Sequence, residues 1–122
     1  MRLLLDTNAL VRWHLKKLRP PAVRTVERAE LVVVSAISAW EIAIKRALGK
    51  LDLEDPVEDI VARNGFVALP ATIQHGDLLR DLPLHHPDPF DRLLIVQALD
   101  EGLTILTSDR SFEPYRVPVV WA

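Results

Sequence analysis

Four carboxylates stand out by where they fall. Asp6 closes the short apolar run Arg2–Leu5 and directly precedes a stretch with helical spacing. Asp109 follows the run Thr104–Thr107 in the same way, after Ser108. Asp91 lies in the first turn of a helix opened by Asp88-Pro89, and Glu41 stands one turn into the otherwise apolar Ala39-Trp40-Glu41-Ile42-Ala43-Ile44. Singly, each has an ordinary role. Asp6 and Asp109 suit turns and helix caps, Asp88 and Asp91 suit a helix start with Pro89 at its first position, and Glu41 can pair with Lys45 for only about 0.2–0.5 kcal/mol. Together they imply something else. Carboxylates gathered on one edge repel unless protons or cations neutralise them, and their oxygens suit Mg²⁺ or Mn²⁺. One or two such ions can activate water for in-line attack on a phosphodiester and stabilise the leaving oxygen.

The elements around these acids explain why they would converge. Arg2–Leu5 and Leu31–Val34 read as short buried strands, and Phe66–Leu69, Thr104–Thr107 and Val117–Trp121 as further short strands. Between them, helical spacing or capping residues mark Thr7–Leu15, Pro20–Ala29, Ala39–Leu48 (capped by Ser38 and closed by Gly49), Pro56–Arg63, Thr72–Leu82 and Pro89–Asp100. Asn64-Gly65 and Gly102 read as helix stops. Strands alternating with helices imply a three-layer α/β/α fold around a mainly parallel sheet. In such sheets ligands bind beyond the carboxyl ends of the strands, near a topological switch. Asp6 and Asp109 follow strands at that edge.

The 122 residues suit one domain spanning 1–122, and 49% hydrophobic content is enough for a core. With no cysteine there is no disulfide scaffold, thiolate zinc site or Cys nucleophile. The apolar runs are far shorter than the ~18 residues of a membrane span, and Asp6 interrupts the N-terminal one at once, unlike a signal peptide; a cytoplasmic protein is expected. The net charge of −2 conceals an imbalance: residues 1–50 hold ten Lys/Arg against four Asp/Glu, and residues 51–122 hold five against thirteen. The basic half can be a solvated helix face or a surface for phosphates.

Four segments carry a family resemblance: Leu4-Leu5-Asp6-Thr7-Asn8-Ala9-Leu10, Ser38-Ala39-Trp40-Glu41-Ile42-Ala43-Ile44-Lys45, Asp88-Pro89-Phe90-Asp91-Arg92-Leu93-Leu94-Ile95 and Leu106-Thr107-Ser108-Asp109-Arg110-Ser111-Phe112. In this order they resemble the PIN domain, and more narrowly the VapC-type toxins of toxin–antitoxin pairs. The resemblance implies a Mg²⁺- or Mn²⁺-dependent endoribonuclease, usually dimeric, neutralised by a small antitoxin and leaving 5′-phosphate and 3′-hydroxyl ends. By motif, Asp6, Glu41 and Asp91 correspond to the core metal-binding acids and Asp109 to the fourth. Thr7, Asn8 and Thr107 correspond to polar positions lining the pocket. Asn8 departs from the His common there in the subfamily, though it still offers a hydrogen-bond donor. Asp88 belongs to the motif but is placed to cap. Arg12, Lys16, Lys45 and Arg46 are the candidate RNA contacts from the basic half. A free ribonuclease would harm its own cell, which is a second reason to expect an antitoxin.

Other chemistries fit less well. His75, His85 and His86 lack zinc-site spacing such as His-x3-His and read as loop histidines. Trp13, Trp40 and Trp121 could stack on bases, but Trp13 and Trp40 have apolar helical neighbours, which favours core or partner packing. Aspartyl-phosphate phosphatases need a second Asp where Asn8 stands, and no Gly-x4-Gly-Lys phosphate loop occurs. From a different class, a catalytically inactive binding module of the same fold would be expected to lack one of the acids; all four are present.

Overall fold

A computed structural model describes all 122 residues. Its centre is a five-stranded sheet in the order β3-β2-β1-β4-β5, formed by β1 (Arg2–Leu5), β2 (Leu31–Ser35), β3 (Val67–Leu69), β4 (Thr104–Thr107) and β5 (Val119–Trp121). Every pairing is parallel, with Leu4 opposite Val33 on one side and Ile105 on the other. The helices are α1 (Thr7–His14), α2 (Pro20–Arg28), α3 (Ala36–Ala47), α4 (Val57–Asn64), α5 (Ile73–Leu78) and α6 (Pro89–Glu101). The expected α/β/α architecture is the one observed.

The largely apolar central strands serve two layers at once, because successive side chains leave a strand on opposite faces. Leu3, Leu5, Val32, Val34 and Leu106 join a core with Leu10 of α1, Val26 of α2 and Ile60 of α4. Leu4, Val33 and Ile105 join a second core with Leu94, Ile95 and Ala98 of α6. Helix α3 belongs to both, through Ile42 on one side and Ile37 on the other. Glu41 lies on this helix, between the two cores it joins.

Several boundaries differ from expectation, each for a local reason. Helix α3 starts three residues early, at Ala36, because Ser35 and not Ser38 is its cap: the Ser35 hydroxyl accepts from the Ile37 N–H at 3.0 Å. Ser38 is instead fully buried, its hydroxyl accepting from that of Thr7 at 3.0 Å. Helix α5 ends at Leu78 and tightens into a 3₁₀ turn over Leu79–Asp81, and β5 begins only at Val119, after Pro118. The expected glycine stops hold: Gly65 and Gly102 cap α4 and α6 at φ of 66° and 68°, the left-handed conformation that a Cβ penalises.

Candidate active site

Chain order decides where the site lies. From β1 the chain steps outward through β2 to β3, then returns to the other side of β1 with β4 and β5. The switch point therefore falls between β1 and β4, and the residues leaving the carboxyl ends of these two strands are Asp6 and Ser108-Asp109. The Asp6 N–H donates to the Leu106 carbonyl at 3.1 Å, extending the ladder to the first acid.

A cleft of about 330 Å³ opens there, and Asp6, Glu41, Asp91 and Asp109 all line it, together with Asp88, Thr7, Asn8 and Lys45. Four separate elements thus deliver carboxylates to one cavity. Their ordinary roles are real as well. Asp6 caps α1, accepting from Ala9 N–H at 2.7 Å, and Asp88 caps α6, accepting from Phe90 and Asp91 N–H at 2.8 and 3.2 Å. Asp109 caps the following 3₁₀ turn through Ser111 N–H at 2.9 Å. Capping fixes the side chains in place. It does not consume them, since a carboxylate has about four acceptor positions.

Thr107 behaves differently from the expectation that it lines the pocket. It is fully buried beneath Asp6, where its hydroxyl donates to Asp6 Oδ2 at 2.5 Å and accepts from Asp109 N–H at 3.0 Å. A strand's last residue pointing back under the site orients two acids from below. Among the candidate RNA contacts, only Lys45 lines the cleft, its Nζ lying 2.6 Å from Glu41 Oε2. Arg12 borders a small neighbouring cavity with Arg19 and Ser108, and Arg46 is exposed further along α3. Lys16 lies elsewhere, beside a larger cavity of about 500 Å³ with Trp13, His14, Arg63 and Asn64. That larger cavity holds none of the four acids. Size alone does not mark the chemistry.

The electrostatics are those of a cluster wanting positive charge. Burial, with Asp109 and Glu41 nearby, pushes Asp6 up to about 6 despite its hydrogen bonds from Thr107 and Ala9. Burial likewise pushes Asp91 up to about 6, helped by Asp88, Asp6 and Glu41 and opposed by its hydrogen bond with His86. The hydrogen bond to Glu41 holds the Lys45 ammonium above its usual range. Glu41 is 4% exposed, and its Oε1 is buried with no hydrogen-bond partner. An orphaned anionic oxygen costs more than about 1–3 kcal/mol. Such an oxygen on a residue of an acid-rich cleft fits a hard divalent cation, for which Asp6, Glu41, Asp91 and Asp109 supply the donor type.

The histidines fall in separate surroundings. His85 is exposed and stands edge-on to Tyr115, with ring centres 5.1 Å apart. His75 is buried on α5, far along the fold, with Asp100 Oδ2 at 3.4 Å and Glu101 Oε1 at 3.6 Å. Its Nδ1 accepts from the Thr72 N–H at 3.1 Å, which leaves the ring proton on Nε2, toward the acids. A nitrogen holding its proton is no metal ligand, and this trio lies where α5 meets the end of α6. His86, which reads in the sequence as an ordinary loop histidine, stands instead beside the acids: its Nε2 lies 2.8 Å from Asp91 Oδ2 and 3.8 Å from Asp109 Oδ2. Its only trace in sequence is its place five residues before Asp91 in a proline-flanked loop. Trp13 packs on Phe66, whereas Trp40 is 57% exposed, its ring edge-on to Phe90.

Fold and site together define the class: a parallel α/β/α domain that gathers carboxylates in a cleft at its switch point. More particularly, residues 3–117 match the PIN domain family, and the chain belongs to it. It is 27% identical over 128 residues to Ribonuclease VapC22 of Mycobacterium tuberculosis, with 97% of each chain covered. Among solved structures it resembles VapBC2 from Rickettsia felis bound to a promoter DNA fragment, at a TM-score of 0.75 and 14% identity, covering 99% of this chain and 98% of that one. FitAcB from Neisseria gonorrhoeae matches at a TM-score of 0.66 and 21% identity, covering 96% and 95%. These structural likenesses concern the fold.

Proposed function

We propose that this chain is a divalent-metal-dependent endoribonuclease, a single nuclease domain over residues 1–122 that acts in the cytoplasm as the toxin of a toxin–antitoxin pair. Membership of the PIN family and the ribonuclease relative support the activity, and the toxin–antitoxin complexes among its structural neighbours support the partner. The observation that carries the reading is the orphaned Oε1 of Glu41, one of the five acids that line the cleft.

In this reading Asp6, Glu41, Asp91 and Asp109 hold Mg²⁺, with Mn²⁺ able to replace it. When bound, the ion supplies Lewis-acid activation of water and neutralises charge at the scissile phosphate. The protein's own groups do the positioning. Thr107 fixes Asp6 from beneath, and the caps made by Asp6, Asp88 and Asp109 tie the acids to rigid element ends. Asn8, exposed at the cleft wall, is placed to donate a hydrogen bond to substrate. Lys45 spans Glu41 and solvent, so its ammonium can turn from the carboxylate to an incoming phosphate. Arg12, Lys16 and Arg46 extend the basic surface along which the RNA backbone would lie, and a homodimer would lengthen that track.

The test is cleavage of a mixed RNA pool by wild type, Asp6→Asn and Glu41→Gln, with Mg²⁺, Mn²⁺ or EDTA. Metal-dependent cutting that leaves 5′-phosphate and 3′-hydroxyl ends, lost in both variants and suppressed by the co-expressed antitoxin, is expected. Cutting that survives EDTA or Asp6→Asn in a folded protein would refute the site. A folded wild type that binds Mn²⁺ but cuts no RNA would point to an inactive binding module.

A further inference from the structure

We propose that His86 is a positioning residue of this site: its Nε2–H holds Asp91 Oδ2, turning the other carboxylate oxygen of Asp91 toward the cation. The inference rests on the metal-dependent reading above and deepens it.

Three observations place His86 in that role. The Nε2 to Asp91 Oδ2 distance is 2.8 Å, while Asp91 Oδ1 engages no hydrogen-bond partner and Asp91 lines the cleft. The imidazole is almost wholly buried, so the contact is not that of a surface side chain sampling rotamers. The loop carrying it is also fixed from outside the acid cluster. The Tyr115 hydroxyl accepts from the backbone N–H of His85 at 3.0 Å and of His86 at 2.9 Å. Arg92 reaches from α6 to the carbonyls of Pro83 and Leu82 at 2.8 and 3.2 Å. A loop pinned at both its amides and its carbonyls delivers a donor to a set place, which is what orienting a ligand carboxylate requires. The 3.8 Å separation from Asp109 Oδ2 puts the same donor edge near a second acid without a hydrogen bond to it.

Two substitutions separate this role from packing. His86→Phe keeps a ring near Phe112, whose centre lies 6.1 Å from that of His86, but removes both nitrogens. His86→Gln loses the ring and keeps an N–H donor at similar reach. Calorimetric titration of Mn²⁺ into full-length protein should show His86→Phe weakened about 10- to 100-fold and His86→Gln within about threefold of wild type. The reverse order, Phe tolerated and Gln not, would overturn the proposal in favour of simple packing. Equal loss in both would overturn it in favour of direct ligation by the imidazole. Asp6→Asn, expected to lose Mn²⁺ binding, reports on the site itself. Absence of binding in wild type would strike the metal reading. Nitrogen NMR of His86 in EDTA judges the hydrogen bond apart from that reading: a proton on Nε2 is expected, and a bare Nε2 would end the proposal.

Discussion

Replacing Asp6 by Asn should make the metal-free protein more stable while removing its response to metal. Asp6 is 4% exposed, and in the fold its carboxyl is pushed from 3.8 up to about 6, first by burial and then by Asp109 and Glu41. The folded state therefore holds the Asp6 proton more tightly than the unfolded chain does. That stability is fully present below about pH 4 and lost as pH rises through about 6. At pH 7.5 the ionised group costs the fold about 3 kcal/mol, and at pH 5 about half as much. Asn is isosteric and uncharged. Its oxygen can keep the Ala9 N–H bond, and its amide can donate to the Thr107 hydroxyl, which rotates to accept. For 122 residues, each kcal/mol moves Tm by about 4 °C, so relief of most of that cost raises Tm by about 8–12 °C. The assay is thermal unfolding in EDTA at pH 7.5 and pH 5, then with excess Mn²⁺. Asp6→Asn should exceed wild type at pH 7.5, the gap should shrink at pH 5, and Mn²⁺ should stabilise wild type alone. A variant no more stable than wild type in EDTA, or a gap indifferent to pH, would refute the reasoning by showing that Asp6 is worth more as a hydrogen-bonded anion than it costs as a buried charge.

Other expectations follow from the same geometry. Wild-type Tm in EDTA should fall between pH 5 and pH 7.5 as Asp6 and Asp91 ionise, and the Tm gain on adding Mn²⁺ should grow over the same interval, because cation and protons compete for both carboxyls. Ser35→Ala removes the α3 cap and strands the buried Gln97 Oε1, to which the Ser35 hydroxyl donates at 2.5 Å. It should cost about 2–4 kcal/mol in urea unfolding, with part of that recovered in the Ser35→Ala/Gln97→Leu double variant. Gly102→Ala places a Cβ at φ 68° with no close steric neighbour, so the backbone strain alone should lower stability by about 1–2 kcal/mol while Mn²⁺ binding stays unchanged. A loss above 3 kcal/mol would contradict that assignment.

Two kinds of information met in this fold. Local chemistry was readable in order along the chain. The apolar runs Leu3–Leu5 and Leu31–Val34 specify central strands, Asp88-Pro89 opens α6, and Gly65 and Gly102 close helices, because each depends only on neighbouring backbone. From those elements the parallel sheet followed, and with it the gathering of Asp6 and Asp109 at one edge. Asp91, in the first turn of its helix, was expected at the same edge and Glu41 was the fourth candidate, while resemblance to a family supplied the metal-binding role of all four. What the sequence left open depended on groups distant in the chain. Ser35 rather than Ser38 caps α3 because Thr7, 31 residues away, engages Ser38, while Gln97, 62 residues away, meets Ser35. Thr107 sits beneath Asp6 because the two strands are hydrogen-bonded neighbours across 101 residues. His86 reaches Asp91 because Tyr115 and Arg92 pin its loop. The types of residue available for chemistry are a property of the sequence. Which oxygens are already satisfied, and which are left without a partner, was decided only when the layers closed over them.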